Sequence, residues 1–236
     1  RGSGRGPHGR GLRTDLEGGA NLKSGAGAVS AGPAMASWGA RSNMAPETLE
    51  ERVVLKGLRK KIAEKMRKSK DRAAHFTYVE EADATELVKL RAAAKIVGEK
   101  QGIKVTYLPF LMKAMVVALR EYPALNATLD DERGEIVYKR YYNIGLSIQT
   151  EDGLTAPVVK NIENKDVMEI ARDIQDLVER ARAKRLTKED FEGGTITLTN
   201  AGSIGGLFAT PIINHPEVAI LGFNKISRKP VVVNLG

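Results

Sequence analysis

Residues 194–216 have the sequence Gly194-Thr-Ile-Thr-Leu-Thr-Asn-Ala-Gly-Ser-Ile-Gly-Gly-Leu-Phe-Ala-Thr-Pro-Ile-Ile-Asn-His-Pro216. The run at 194–199 alternates and is rich in β-branched residues, which predicts a strand. A loop with glycines at 202, 205 and 206 follows it, and glycine lets a ligand or another stretch of backbone approach closely. A hydroxyl at the strand end, that of Thr199, can donate a hydrogen bond to a developing oxyanion. The stretch therefore predicts a strand followed by a loop with one candidate catalytic hydroxyl.

Several known site types do not fit this loop. No Gly-Lys-Ser or Gly-Lys-Thr follows it, as a phosphate loop requires, and the spacing G-x-x-G-G is not a dinucleotide fingerprint. No G-x-S-x-G elbow occurs in the chain. The three histidines, His8, His75 and His215, are far apart and lack metal-binding spacing, so we expect no metal site. A plain glycine-rich turn remains the alternative to a binding loop.

The elements around this stretch are predicted from periodicity and turn signals. Residues 166–183 form an amphipathic helix with Asp166 as a candidate cap. Strands are expected at 135–139, 142–150, 155–160, 217–222 and 230–234, with turns at Arg133-Gly134 and at Glu151-Asp152-Gly153.

Helices dominate the earlier part of the chain. A basic amphipathic helix is predicted at 58–70, and a strand at 75–82. A second helix, capped by Asp83 or Thr85, runs to Gly102 with Leu87, Leu90 and Ala94 on one face. Pro109 opens a helix at 110–121 that is apolar nearly all round and therefore expected to be buried, and Pro123 ends it. Mixed runs without regular βαβ alternation favour an α+β sandwich, a mixed sheet with helices on one face, over a Rossmann fold.

Composition divides the 236 residues into two parts. Residues 1–46 hold 11 of the 24 glycines and six basic against two acidic side chains, half of the net charge of +8. We expect them to form a flexible Gly/Ala/Arg-rich linker or a tail added in cloning, with the folded domain at 47–236. The remaining charge does not indicate nucleic-acid binding. The chain has no cysteine, which excludes disulfides, thiolate zinc sites and a cysteine nucleophile.

The longest apolar stretch, 108–119, is broken by Lys113 and is shorter than the roughly 20 residues that span a bilayer. The basic helix at 58–70 has two interpretations, a helix lying on a membrane or, as we favour, an arm packed on a neighbouring subunit or on its own domain.

Eight segments together resemble the catalytic core of the dihydrolipoamide acyltransferase component of 2-oxoacid dehydrogenase complexes. They are 58–66 (LRKKIAEKM), 75–87 (HFTYVEEADATEL), 108–114 (LPFLMKA), 122–127 (YPALNA), 142–145 (YNIG), 152–158 (DGLTAPV), 195–206 (TITLTNAGSIGG) and 211–222 (PIINHPEVAILG). The resemblance covers about residues 51–232, in the family's order and spacing.

The resemblance implies a fold, an assembly and partners. The fold is a chloramphenicol-acetyltransferase-like two-layer sandwich, and the assembly is a homotrimer that builds a 24- or 60-subunit core. The implied partners are the decarboxylase and dihydrolipoamide dehydrogenase components, with neither nucleic acid nor membrane. The implied location is the cytoplasm of a bacterium or archaeon, or the mitochondrial matrix of a eukaryote.

The resemblance also implies the chemistry, transfer of an acyl group from an S-acyldihydrolipoyl group on a separate domain to coenzyme A, without a metal. The Ser or Thr of the family's T-x-[ST]-N-x-G segment stabilises the oxyanion, and here it is Thr199. Asn200, Gly202, Gly205 and Gly206 are then candidate substrate-binding residues. Residues 203–206 and 214–217 favour acetyl as the acyl group, and so a pyruvate-type complex, over branched-chain acyl groups. Succinyl is the least favoured acyl group.

One departure bears on activity. The family's catalytic histidine lies in a D-H-R-x-x-x-D-G motif, and this sequence contains no Asp-His-Arg. The resemblance thus leads us to expect a core that lacks its C-terminal part and does not turn over by itself. The alternative is a catalytically inactive scaffold module that only assembles.

Overall fold

The computed structural model describes residues 50–202, 205 and 207–230. The predicted linker at 1–46 and the strand predicted at 230–234 lie outside these residues, apart from Pro230. The helices are α1 (Gly57–Arg72), α2 (Thr85–Lys100), α3 (Leu108–Glu121) and α4 (Val167–Arg182). The strands are β1 (Ala127–Asp130), β2 (Glu135–Tyr138), β3 (Ile144–Leu146), β4 (Ile148–Thr150), β5 (Gly153–Thr155), β6 (Val158–Val159), β7 (Ile196–Asn200) and β8 (Ile220–Phe223).

A mixed sheet of four strands in the order β6-β3-β7-β8 forms the centre of the fold. β6 runs antiparallel to β3, whereas β3, β7 and β8 run parallel to one another. Two separate hairpins, β1–β2 and β4–β5, turn at the glycines predicted for them, Gly134 and Gly153, which have positive φ. The predicted α+β class with a mixed sheet is confirmed.

Helices α3 and α4 cover one face of this sheet. The core between them is built from Met112, Met115, Val116, Leu119, Ile144, Leu146, Ile148, Val159, Ile162, Ile170, Ile174, Leu177, Ala181, Ile196 and Leu198. On β7 the core side chains alternate with threonines, because successive side chains of a strand point to opposite faces. The threonine face of β7 is therefore turned away from the helices.

The start of α4 is fixed by local chemistry, as predicted. Asp166 accepts hydrogen bonds from the backbone N–H groups of Met168 (2.7 Å) and Glu169 (2.8 Å). The Glu169 carboxylate accepts in return from the Asp166 N–H at 2.7 Å, which completes a capping box.

The strand predicted at 75–82 is wrong for this chain. Residues 73–84 connect α1 to α2 without regular secondary structure, and they pair with no strand within the described residues. Phe76 and Tyr78 are 88% and 78% exposed. Alternating β-forming residues favour an extended backbone, but a strand also needs a partner for its hydrogen bonds.

Two predicted faces are also wrong. In α2 the inner stripe comprises Leu87, Arg91, Ala94 and Gly98, whereas Leu90 is exposed. Arg91 takes an inner position because its Nε donates to the Val105 carbonyl and its guanidinium lies over the Tyr107 ring.

Helix α3 is not buried all round, since Val117 is 67% exposed. The helix does end where Pro123 predicts. Strand β1, which was not predicted, pairs along its whole length with β2.

Candidate functional site

Thr199 lies one residue before the end of β7, the strand between β3 and β8. It is half-buried and pairs with Gly222 of β8. A Cβ built on Gly222 would lie 4.0 Å from the Thr199 methyl carbon, Cγ2. Glycine at this position leaves the threonine side chain uncovered by its neighbour on β8. The hydroxyl is thus held by a central strand, close to the strand end at which the loop begins.

The loop after β7 is held by two hydrogen bonds. Asn200 accepts at its side-chain oxygen from the N–H of Gly202 (3.0 Å), and the N–H of Ala201 donates to the carbonyl of Phe223 (2.9 Å). An asparagine side chain that accepts from the backbone N–H two residues later closes a turn. This gives Asn200 a local structural role in addition to its predicted role in binding substrate.

Glycine is favoured at positions 202 and 205 of the loop for two different structural reasons. A Cβ on Gly202 would lie 2.9 Å from the carbonyl oxygen of Asn224, so Gly202 allows two stretches of this chain's own backbone to approach each other. Gly205 has φ +89° with open space around it, a conformation that favours glycine in a turn. Gly206 lies outside the described residues. The structure brings Thr199, Asn200 and Gly202 together through β7, and it leaves their substrate-binding role a prediction.

Two other threonines, Thr195 just before β7 and Thr197 within it, have protein partners. The Thr195 hydroxyl donates to the Asn143 carbonyl at 3.1 Å, and the Thr197 hydroxyl donates to the Glu217 carboxyl at 2.7 Å. Both threonines are fully buried. Glu217 was not a predicted site residue, although an acidic residue between Pro216 and the apolar run that follows was a signal for it.

Glu217 is buried, with a residue exposure of 6%. Burial raises its pKa to about 7, because an ionised carboxylate loses its hydration inside the protein. Hydrogen bonds from Thr197 and Asn214, and the charge of Lys65, act in the opposite direction. The group therefore changes its charge near neutral pH, on the same sheet face as Thr199.

The two histidines within the described residues, His75 and His215, are both half-buried. The two ring nitrogens of His75 contact the Ala73 carbonyl (2.9 Å) and the backbone N–H of Ile213 (2.9 Å). The ring therefore connects segment 73–84 to the 211–217 segment. Burial, followed by the charge of Lys68, lowers the pKa of His215. In the described part of the chain, no cluster of three or more His, Asp or Glu side chains is arranged to hold a metal ion. None of the helices described there is long and apolar enough to cross a lipid bilayer.

Comparisons with known proteins converge on one family. The description "2-oxoacid dehydrogenases acyltransferase (catalytic domain)" matches residues 47–236. The dihydrolipoyllysine-residue acetyltransferase component of the pyruvate dehydrogenase complex of Staphylococcus epidermidis is 46% identical over 187 residues, 79% of this chain. That alignment covers 42% of the relative, so the chain spans less than half of its length.

Solved structures agree in fold. The dihydrolipoamide acetyltransferase of Azotobacter vinelandii, a structure concerned with a serine, a histidine and an asparagine in its catalytic mechanism, has a TM-score of 0.75 and 39% identity, covering 78% of this chain and 75% of that one. The cubic core of a pyruvate dehydrogenase multienzyme complex gives the same TM-score, identity and coverage.

Proposed function

The chain belongs to the 2-oxoacid dehydrogenase acyltransferase family, by its catalytic domain, and from this membership we propose that it is the core of an acetyltransferase. The reaction is transfer of an acetyl group from S-acetyldihydrolipoyl-lysine to coenzyme A. The observation that carries the proposal is the half-buried Thr199 hydroxyl at the end of a central strand. The relatives' function in pyruvate dehydrogenase complexes supports acetyl as the acyl group.

In this reaction the sulfur of coenzyme A attacks the carbonyl carbon of the thioester, and the carbonyl oxygen becomes an oxyanion. The Thr199 O–H donates a hydrogen bond to that oxygen, and the dihydrolipoyl thiolate then leaves. A thiol with a pKa of about 8.5 needs a base to give up its proton at neutral pH. The family resemblance assigns this base to the D-H-R segment, which the printed sequence does not contain.

The loop after β7 is the proposed substrate-binding loop. Asn200 and Gly202 fix its first turn, and Gly205 and Gly206 continue it. We propose that their backbone lies along the lipoyl or pantetheine arm, whose thiol ends must meet at Thr199. Coenzyme A and the lipoyl group are the substrates of this site, and the site requires no metal.

The proposal extends to assembly. The exposed aromatic side chains of Phe76 and Tyr78, and a backbone that pairs with no strand among the described residues, favour burial against another copy in a homotrimer. The similarity to a cubic core supports further assembly to 24 subunits, with 60 as the alternative. The core would then work with decarboxylase and dihydrolipoamide dehydrogenase components in the cytoplasm. Residues 1–46 would be the flexible linker that precedes the core at 47–236.

A transfer assay tests the function. Because the chain spans 42% of its relative's length, we would assay both the full-length protein that carries this sequence and the 236-residue chain. Acetyl, isobutyryl and succinyl thioesters of dihydrolipoamide would be offered with coenzyme A. We expect the full-length protein to prefer acetyl. Preference for isobutyryl would favour a branched-chain complex, and no transfer of any acyl group would contradict the proposal and favour a scaffold that only assembles.

A further inference from the structure

Three side chains on the threonine face of β7 form a closed hydrogen-bonded triangle. Thr197 Oγ1 donates to Glu217 Oε2 at 2.7 Å. The Asn214 amide nitrogen lies 2.9 Å from Glu217 Oε1 and 3.3 Å from Thr197 Oγ1. The transfer step proposed for Thr199 gives this triangle no direct chemical role, so its buried carboxyl needs another explanation.

The space around the triangle is limited by backbone on two sides. Gly145 of β3 lies opposite Thr197, and a Cβ there would lie 2.9 Å from Thr197 Oγ1. A Cβ on Gly194 would lie 3.3 Å from Glu217 Oε1. Two glycines thus bring main chain against the hydroxyl and the carboxyl, and the three side chains have little freedom to shift.

The triangle joins the two strands that define the Thr199 position. Thr197 and Thr199 are neighbours on one face of β7, two residues or about 7 Å apart. Asn214 and Glu217 lie in the segment that leads directly into β8, and the Glu217 N–H donates to the Asn214 carbonyl at 3.1 Å. β8 in turn places Gly222 opposite Thr199. Movement of Glu217 would therefore displace β8 relative to β7 beside the hydroxyl.

We propose that Glu217 is a positioning residue for acyl transfer, which acts through Thr197 and Asn214 to hold β7 and β8 in the arrangement that aims the Thr199 hydroxyl at the oxyanion. This inference rests on the proposed function of Thr199. It assigns to a buried carboxyl a role that differs from proton transfer, since both of its oxygens accept hydrogen bonds, one from Thr197 and one from Asn214.

The charge of Glu217 gives this role a measurable signature. With a pKa raised by burial to about 7, the carboxyl is neutral in mild acid and ionised in mild base. An anion on the same sheet face as Thr199 opposes the negative charge that develops on the thioester oxygen. Lys65 of α1 is the cation that acts on Glu217. His215 in the same segment is influenced by Lys65, Lys68 and Arg72 of α1 and by Asp131 after β1. Transfer is therefore expected to be faster with the neutral acid, which glutamine imitates.

Steady-state kinetics on the full-length protein make the first test. We expect Glu217→Ala to lower kcat about tenfold or more with little change in KM for coenzyme A, because the substrate contacts remain. Glu217→Gln should restore most of that loss and should remove the step near pH 7 from the profile of kcat. Asp190→Asn is the matched control, a carboxyl that accepts hydrogen bonds from Arg180 and Thr187 away from β7, and its pH profile should equal that of the wild type. A wild-type kcat in the alanine variant, or an unchanged profile in the glutamine variant, would overturn the inference.

A second measurement separates this inference from the function on which it rests. The full-length protein would be labelled at threonine methyl groups, and their NMR signals followed from pH 5.5 to 8.5. Thr197 and Thr199 should shift together near pH 7 in the wild type and stay constant in Glu217→Gln. Coupled shifts without acyl transfer would refute the proposed function and leave the linkage intact. If the protein transfers acyl groups but the NMR signal of the Thr199 methyl group does not change with pH, the positioning role alone would be refuted.

Discussion

Gly145 of β3 lies directly opposite Thr197 of β7, and a Cβ at position 145 would come within 2.9 Å of the Thr197 hydroxyl oxygen. The two strands are parallel, and Gly145 is flanked by the core residues Ile144 and Leu146. The backbone of β3 is therefore anchored on its helical side and cannot retreat to make room. The hydroxyl that Glu217 holds is thus confined by main chain rather than by a flexible side chain.

From this contact we predict that Gly145→Ala lowers the free energy of unfolding by about 1–3 kcal/mol, as overpacking of a close-packed site does. Gly222→Ala is the matched control in the same sheet, since its Cβ would meet only ordinary contacts at 3.9 and 4.0 Å. Urea denaturation of the two variants would measure the difference. Equal stabilities would show that β3 moves aside.

For the proposed catalytic hydroxyl, we predict that Thr199→Ala lowers kcat for acetyl transfer by about 10²–10³, the usual effect of removing one oxyanion donor. Thr199→Ser keeps the hydroxyl and should keep most of the rate. Thr150→Val is the control, because it removes a strand hydroxyl that donates to Gly153 outside β7. Transfer by Thr199→Ala at the rate of the control would remove Thr199 from the mechanism.

Stability should fall as the pH rises through the interval set by Glu217. Its ordinary pKa of 4.5 rises to about 7 in the folded chain, so between these values the folded state binds more protons than the unfolded state. The free energy of unfolding then decreases by up to about 1.4 kcal/mol per pH unit, about 3 kcal/mol in all, and becomes level above pH 7. Denaturation of wild type and Glu217→Gln over pH 4.5–8 measures this. The wild type should lose stability relative to the variant across that interval, and parallel curves would contradict the prediction.

The capping box of α4 is a separate element of stability. We predict that Asp166→Ala costs about 1 kcal/mol, because the N–H groups of Met168 and Glu169 lose their acceptor. Asp166→Asn keeps an acceptor oxygen and should cost less. Thermal unfolding of both variants provides the comparison, and acyl transfer should be unaffected at temperatures where they stay folded. If the two variants were equally stable, the cap would contribute nothing.

Features with local causes were predictable from the sequence. The boundaries of α4 follow from Asp166, Glu169 and a 3.6-residue apolar period, and the hairpin turns follow from Gly134 and Gly153. The β7 strand, and Thr199 at its end, followed from alternation together with the family resemblance. In each case the signal and the structure that it produces lie within one turn or one strand.

Features that need a distant partner were not predictable in the same way. Segment 73–84 has the composition of a strand, but its hydrogen-bond partner is not encoded within the segment. Leu90 was assigned to the inner face of α2 because the contact of Arg91 with Tyr107 cannot be seen in helical periodicity. Glu217 was missed because its burial depends on Thr197 and on glycines of two other segments.

The strand order of the central sheet also bears on the order in which the surroundings of Thr199 fold. β7 pairs with β3, from which it is separated by the whole of α4, and with β8, which lies beyond the glycine loop and the 211–217 segment. Parallel pairings of this kind require large loops to close first, and they form slowly compared with helices and hairpins. We therefore expect the pairing of β7 with β8, which completes the surroundings of Thr199, to form later in folding than the helices and hairpins.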